Sequence, residues 1–223
     1  MGKVYVEFDG DTARYACTSC CNCSSLFGTS LCDVKNRGCC FYFPEFTLIN
    51  IQRMSLTLEG MKYLETIRQH PGTSIYQYHI HVKGYFDKQS YDDYIKKGDL
   101  LGENIINDHT IFFRACPFVK SGKGCTLPPR YRTVVCNFFI CSEIFDRPDL
   151  KEVFEPYLNE RTRYARWEHR ENLELQHVLF ENGLDLKNNF EDSIEVLRNT
   201  PVYNYDFPHL EPVEFDSGHS QSA

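Results

Sequence analysis

The chain has 223 residues, of which 42% are hydrophobic and 14% aromatic, enough for a packed core and too apolar for global disorder. Its 31 acidic residues against 24 Lys and Arg give a net charge of −7, which argues against a protein that holds nucleic acid chiefly by neutralising phosphates. No apolar run approaches the roughly 20 residues of a membrane helix, and eleven cysteines are the unusual feature.

In chain order, Val4 to Phe8 alternates and predicts a short strand. Nothing in Met1-Gly2-Lys3-Val4-Tyr5-Val6 resembles a secretory signal, and Val6 stands where myristoylation wants Ser or Thr. The expected compartment is therefore the reducing cytoplasm, where thiols persist and disulfides are rare. A glycine-punctuated cysteine-rich stretch follows from Cys17 to Cys40. Thr47 is placed to cap a helix running to about Gln69, with Leu48, Ile51, Met54, Leu58, Met61 and Leu64 at helical spacing and Gly60 as its weak point. His70-Pro71-Gly72 stops it. Ser74 to Phe86 then reads as a half-buried strand, with Tyr76, Tyr78, Ile80 and Val82 on the inner face. Thr110 to Ala115 reads as another, leading into Cys116.

From Pro148 the pattern becomes helical, with an expected interruption near Pro156 and a stop at Gly183. Asp185 is placed to open a further helix to about Arg198. After Pro201 comes a tail of prolines and aromatics whose last residues are expected to be disordered.

The cysteines fall into two groups. The first is Cys17-x2-Cys20-Cys21-x-Cys23, then Cys32 and the vicinal pair Cys39-Cys40. The second is Cys116-x8-Cys125-x10-Cys136-x4-Cys141. Thiolates are soft, strong ligands, and two-residue gaps let successive sulfurs curl around one ion, as in zinc knuckles and iron–sulfur loops. A plain ferredoxin loop is excluded because Phe27 occupies its fourth position, and the radical-enzyme spacing fails at Ser24. Adjacent side chains on extended backbone point to opposite faces. Cys39 and Cys40 therefore either serve two centres or sit in a tight turn. Four thiolates on a divalent ion leave a net charge of about −2, which guanidinium groups in Pro128-Pro129-Arg130-Tyr131-Arg132 would offset.

This order of motifs resembles the YkgJ family of cysteine-rich, zinc- or iron-chelating domains of bacteria. Cys17-Thr-Ser-Cys20-Cys21-Asn-Cys23-Ser24 follows the family's opening Cys-x2-Cys-Gly-x-Cys-Cys, with Cys21 for its glycine and Ser24 for its last cysteine. Gly38-Cys39-Cys40-Phe41 looks like the displaced pair before an apolar run, and Cys116, Cys125 and Cys136-Asn-Phe-Phe look like its later half, with Arg130 and Arg132 near the family's arginine. The resemblance covers about Ala16 to Cys141 and implies metal or iron–sulfur binding. The cysteine block is also similar to that of flagellin lysine N-methylases, which implies an enzymatic alternative.

Other signals are weaker. His79 and His81 share a strand face with Gln77 and Lys83, a solvated pattern, and His109 is a spare ligand near Cys116. Glu174-x-x-His177 is half of a di-iron motif without its partner copy, so a charged helix face is expected, as it is for Arg161, Arg163, Arg166 and Arg170. Phe41, Tyr42, Phe43, Phe138 and Phe139 either shield the centre or belong to the core. P-loop, dinucleotide, nucleophile-elbow and His-Glu-x-x-His patterns are missing from the sequence.

The expected architecture is an α+β protein with an irregular cysteine-rich metal-binding core over residues 1–146, a few short strands, a helical extension over 147–200 and an irregular tail over 201–223. The expected function is cytoplasmic binding of zinc or an iron–sulfur cluster through Cys17, Cys20, Cys23, Cys39, Cys40, Cys116, Cys125, Cys136 and Cys141, with Cys21 and Cys32 in reserve. The alternatives are an iron–sulfur enzyme related to methyl transfer, and a zinc-stapled module that binds a protein partner through its C-terminal helices.

Overall fold

The computed structural model describes residues 2–20, 25–98, 100–102, 104–141, 144 and 147–216. The fold is α+β, with short antiparallel strands and a long C-terminal helix. Among the described residues, no helix is long and apolar enough to cross a membrane.

The expected first strand is one arm of a hairpin. β1 (Gly2–Asp9) pairs with β2 (Thr12–Cys17) in a register that sets Val4 against Cys17 and Asp9 against Thr12. Gly10 and Asp11 make the two-residue connection, and Gly10 at φ 61° supplies the left-handed backbone that such a turn needs at its first central position. The far end of the chain returns to this sheet: β10 (Val213–Phe215) pairs antiparallel with the other edge of β1, Lys3 facing Glu214. The tail thus contains a strand that its local sequence did not announce. Its final residues, 217–223, lie outside the described residues.

Thr47 opens the first helix as expected, its N–H donating to Asn50 Oδ1 at 3.1 Å. The single helix predicted to Gln69 is two, α1 (Leu48–Ser55) and α2 (Leu58–Gln69). Thr57 begins the second by accepting a hydrogen bond from Gly60 N–H at 3.0 Å. A Cβ at Gly60 would run into the Met54 carbonyl, so glycine lets α2 fold back against the end of α1.

The predicted strand Ser74–Phe86 breaks into β4 (Thr73–Ile75), β5 (His79–Val82) and β6 (Tyr85–Phe86). β5 lies between β4 and β3 (Glu45–Thr47), antiparallel to both. Ile80 and Val82 face the core as the alternation predicted, while Tyr76 is exposed. Helix α3 (Lys88–Lys97), begun by Asp87 accepting from Ser90 N–H at 3.0 Å, has no counterpart in the sequence-based expectations. Thr110 to Ala115 is mostly a 3₁₀ turn, His109–Phe113, and only Arg114 and Ala115 form strand β7 against β6. Three bulky side chains in succession, Ile111, Phe112 and Phe113, are all buried, which period-two alternation does not allow.

The hairpin β8 (Val119–Lys120) and β9 (Gly124–Cys125) and the short helix α4 (Val134–Asn137) carry the later cysteines. Helix α5 (Lys151–Glu181) runs unbroken through Pro156, contrary to the expected interruption. That proline lies in the second turn, where a missing N–H costs one bond near a helix end. Gly183 stops α5 as expected, its N–H reaching Phe180 C=O at 3.0 Å. Helix α6 (Phe190–Asn199) starts later than predicted because Asp185 accepts from Asn188 N–H at 2.7 Å in a preceding turn.

The main core joins both ends of the chain. Phe138 packs on Tyr15, Tyr164 and Phe207 with ring centroids 4.9, 4.7 and 5.5 Å away. A second, smaller cluster of Ile106, Ile111, Phe112 and Phe113 is flanked by Phe27, Phe41, Tyr91 and Tyr94. The cysteine-bearing loops lie against both.

Candidate metal centre

Cys40, Cys116, Cys125 and Cys136 come from four separate loops or elements, and the main chain draws their loops together. The residues around Cys40 form a turn in which Phe41 N–H donates to Cys39 C=O at 2.9 Å. Cys116 follows β7, and its N–H donates to Cys40 C=O at 2.8 Å. Val119 N–H then reaches back to Cys116 C=O at 3.2 Å, and Val119 is paired across the hairpin with Cys125. Cys136 lies in α4, and its sulfur accepts a hydrogen bond from Thr133 Oγ1 at 3.3 Å.

The four thiols act on one another electrostatically. Burial pushes the Cys40 thiol up to about 11, and the nearby Cys125 and Cys136 sulfurs push in the same direction. Burial drives Cys116 higher still, with Cys136, Cys125 and Cys40 adding to it. Cys136 is also raised, by desolvation first, although much of the residue faces solvent; its sulfur lies on the crowded side. Burial thus favours the neutral forms of Cys40, Cys116 and Cys136, which a bound cation would reverse. Among the described residues, no three Cys, His, Asp or Glu side chains are closed around one point as they would be around a bound ion.

One guanidinium of the expected pair faces these thiols. Arg132 Nε donates to Leu127 C=O at 2.8 Å, and its charge favours the thiolate forms of Cys40 and Cys136. Arg130 does not share this task. It forms a bidentate ion pair with Asp9, with Nε to Oδ2 at 3.0 Å, which pins the loop to β1. A different cation, Arg37, also favours the thiolate of Cys40. Its place two residues before Cys39 is the only sequence signal for that role.

The remaining cysteines are placed differently. Cys17 ends β2, where it bears on Tyr5, and Cys141 is buried; neither is among the groups that weigh most on Cys40, Cys116 or Cys136. Cys20 is exposed, Cys32 is buried and Cys39 is half-buried. Cys21 and Cys23 lie outside the described residues.

Two of the histidines are engaged in aromatic contacts of their own. His109 begins the 3₁₀ turn against Tyr94 and Phe112, and His79 stacks on Tyr76 at 4.4 Å. Glu174 and His177 are exposed on α5, His177 pairing with Glu181 at 3.2 Å, as a charged face predicts. Of the aromatics, Phe138 is core and Tyr42 borders the site, its hydroxyl raised by burial and by Cys136.

A cleft of about 500 Å³ opens beside Cys116, lined by Val34, His70, Lys83, Tyr85 and Pro117. His70 Nδ1 accepts from Gly72 N–H at 3.0 Å, so its ring is fixed in the cleft wall.

No protein-family model, curated protein or solved structure matches the chain.

Proposed function

We propose that this is a cytoplasmic metal-binding protein in which Cys40, Cys116, Cys125 and Cys136 together hold one zinc ion or one iron–sulfur cluster. The drawing together of the loops that carry these four cysteines, and the influence of their sulfurs on one another, carry the proposal. Four thiolates suit tetrahedral zinc and cluster iron equally, and the chemistry supplied would be a structural clamp in the first case and electron transfer in the second. The chain's own part is clear in either case. The turn at Cys40 and the β8–β9 hairpin would present the sulfurs, four thiol protons would leave on loading, and Arg132 would offset part of the resulting negative charge. Sulfurs that are not yet closed around a point fit neutral thiols, which gain nothing by converging until a cation replaces their protons. The YkgJ-like order of the cysteines is consistent with this assignment.

The cleft against Cys116 favours a second reading, an enzyme that works beside its centre, because a purely structural clamp needs no adjoining space. Anaerobic purification followed by elemental analysis and a visible spectrum of the same sample tests both. Brown protein with iron and acid-labile sulfide supports a cluster and keeps the enzymatic reading; colourless protein with stoichiometric zinc supports the clamp. Protein free of metal with all eleven thiols titratable rejects the proposal.

A further inference from the structure

The cleft beside Cys116 has the size of a small-molecule site, its volume of about 500 Å³ lying within the roughly 300–1,000 Å³ of pockets that take such ligands. Three separate stretches of main chain build it: the turn after α2 at residues 70–72, the link from β5 into β6 at 83–85, and the chain leaving β7 at 115–117. Two glycines let these stretches touch. A Cβ at Gly72 would run into the Lys83 carbonyl, and the Lys83 N–H donates to Gly72 C=O at 2.9 Å. A Cβ at Gly84 would run into the Ala115 carbonyl, and Tyr85 pairs with Ala115 across the β6–β7 ladder. Neither contact admits a side chain, so the walls are set by the backbone before any ligand arrives.

The polar groups in these walls favour one sign of charge. Lys83 contributes an ammonium and His70 an imidazole. Because Gly72 N–H donates to His70 Nδ1 at 3.0 Å, the neutral ring carries its proton on Nε2, which makes that nitrogen a donor. The backbone of His70 is fixed as well, its N–H closing the end of α2 on Ile67 C=O at 3.3 Å. Among the described residues, no Asp or Glu lines the cleft, although the chain carries 31 acids. Asp33 and Asp87 act on the hydroxyl of Tyr85, but neither is a lining residue, and Asp87 already accepts from Ser90 N–H at 3.0 Å. The rest of the wall is largely apolar, with Val34, Pro71, Pro117 and Val119.

We propose that this cleft binds a small organic anion, a carboxylate or a phosphate joined to an apolar body. Lys83 and the His70 Nε2–H would meet the charged head, and the prolines and valines would meet the body. An exposed ammonium alone holds an anion weakly in water, so the oriented His70 donor and the apolar walls are what give the site its selectivity. The proposal names the substrate class for the enzymatic reading above and rests on that reading for any chemistry that follows. Binding itself uses no metal.

Amide NMR of the full chain tests this, with the metal content of the same sample measured and circular dichroism as a check on each variant's fold. Sodium phenylacetate and phenyl phosphate are the probes, and phenylacetamide is the uncharged control. Both anions are expected to shift the Gly72, Gly84 and Tyr85 amides, and the tighter of the two identifies the head group. Phenylacetamide is expected to bind about tenfold more weakly or worse. Lys83→Met and His70→Ala should each weaken both anions, whereas Lys83→Arg, and Lys88→Met on α3 outside the cleft, should change little. No shifts with either anion at millimolar concentration, equal binding of phenylacetamide, or undiminished binding by Lys83→Met overturns the proposal. Bound metal without anion binding removes the cleft and leaves the four-cysteine centre standing. Anion binding in metal-free protein with all thiols titratable upholds the cleft and rejects the centre.

Discussion

The N–H of Cys116 donates to the carbonyl of Cys40 at 2.8 Å, so the two cysteine groups are joined through the main chain before any metal is considered. Because that bond uses backbone atoms, side-chain substitution at either position leaves it in place. The cysteines can therefore be altered one at a time without dismantling the turn that presents them.

Serine at Cys40, Cys116, Cys125 or Cys136 is expected to cost one equivalent of bound metal, and serine at Cys17 or Cys141 to cost none. A structural zinc site contributes on the order of 10 kcal/mol of apparent binding free energy, so losing one ligand lowers the unfolding midpoint markedly as well. Elemental analysis of each purified variant, with denaturant unfolding alongside, checks both outcomes.

The two neighbouring arginines should separate cleanly. Arg132→Ala removes a charge that favours the Cys40 and Cys136 thiolates, and chelator competition should show weaker metal binding. Arg130→Ala breaks a partly exposed ion pair with Asp9, which solvent screens, and should leave metal affinity unchanged. Equal effects on affinity would show that the loop as a whole, and not the Arg132 charge, is what matters.

Glu168 gives a pH dependence remote from the cysteines. Burial raises its carboxyl from the usual range to about 7, only partly opposed by Arg53. Its folded pKa lies above its unfolded one, so the stability it supports is complete below about pH 4.5 and is lost as pH rises through 7. The full swing is on the order of 3 kcal/mol. Glu168→Gln should flatten the stability profile between pH 5 and 8, roughly, and make the protein more stable than wild type at the upper end. Urea unfolding across that range measures it.

Gly60→Ala tests the folding-back of α2. The added methyl meets the Met54 backbone, which cannot swing aside as a side chain could. A loss of about 1–3 kcal/mol is expected, readable as a lower thermal midpoint with metal content unchanged.

Local chemistry was legible wherever it acts through neighbours in the chain. Thr47 as a cap, Gly183 as a stop, and Ile80 and Val82 as inward residues follow from turn geometry and periodicity alone. The α+β class follows likewise, as does the concentration of cysteines before residue 142. The breaks were less visible. Gly60 weakened the predicted helix, but the split at Thr57 depends on α2 having Met54 to pack against. The buried run Ile111-Phe112-Phe113 looks like a strand until the satellite core requires all three side chains at once.

What the sequence alone determined is the supply of thiols: eleven, clustered, with arginines among them. Which cysteine-bearing loops lie together was decided by tertiary structure. The selection of Cys40 with Cys116, Cys125 and Cys136 depends on a backbone bond between distant loops and on a hairpin register, neither of which has a local signature. The roles of the arginines were decided in the same way. Arg130 is drawn off by Asp9 on a strand far away in the chain, and Arg37 gains its place because Thr29 and Ile111 carbonyls enclose it. The pull between two charges falls with distance and, for exposed groups, is screened beyond roughly 10 Å, so a charge's partner is fixed by folding and not by its position in the sequence.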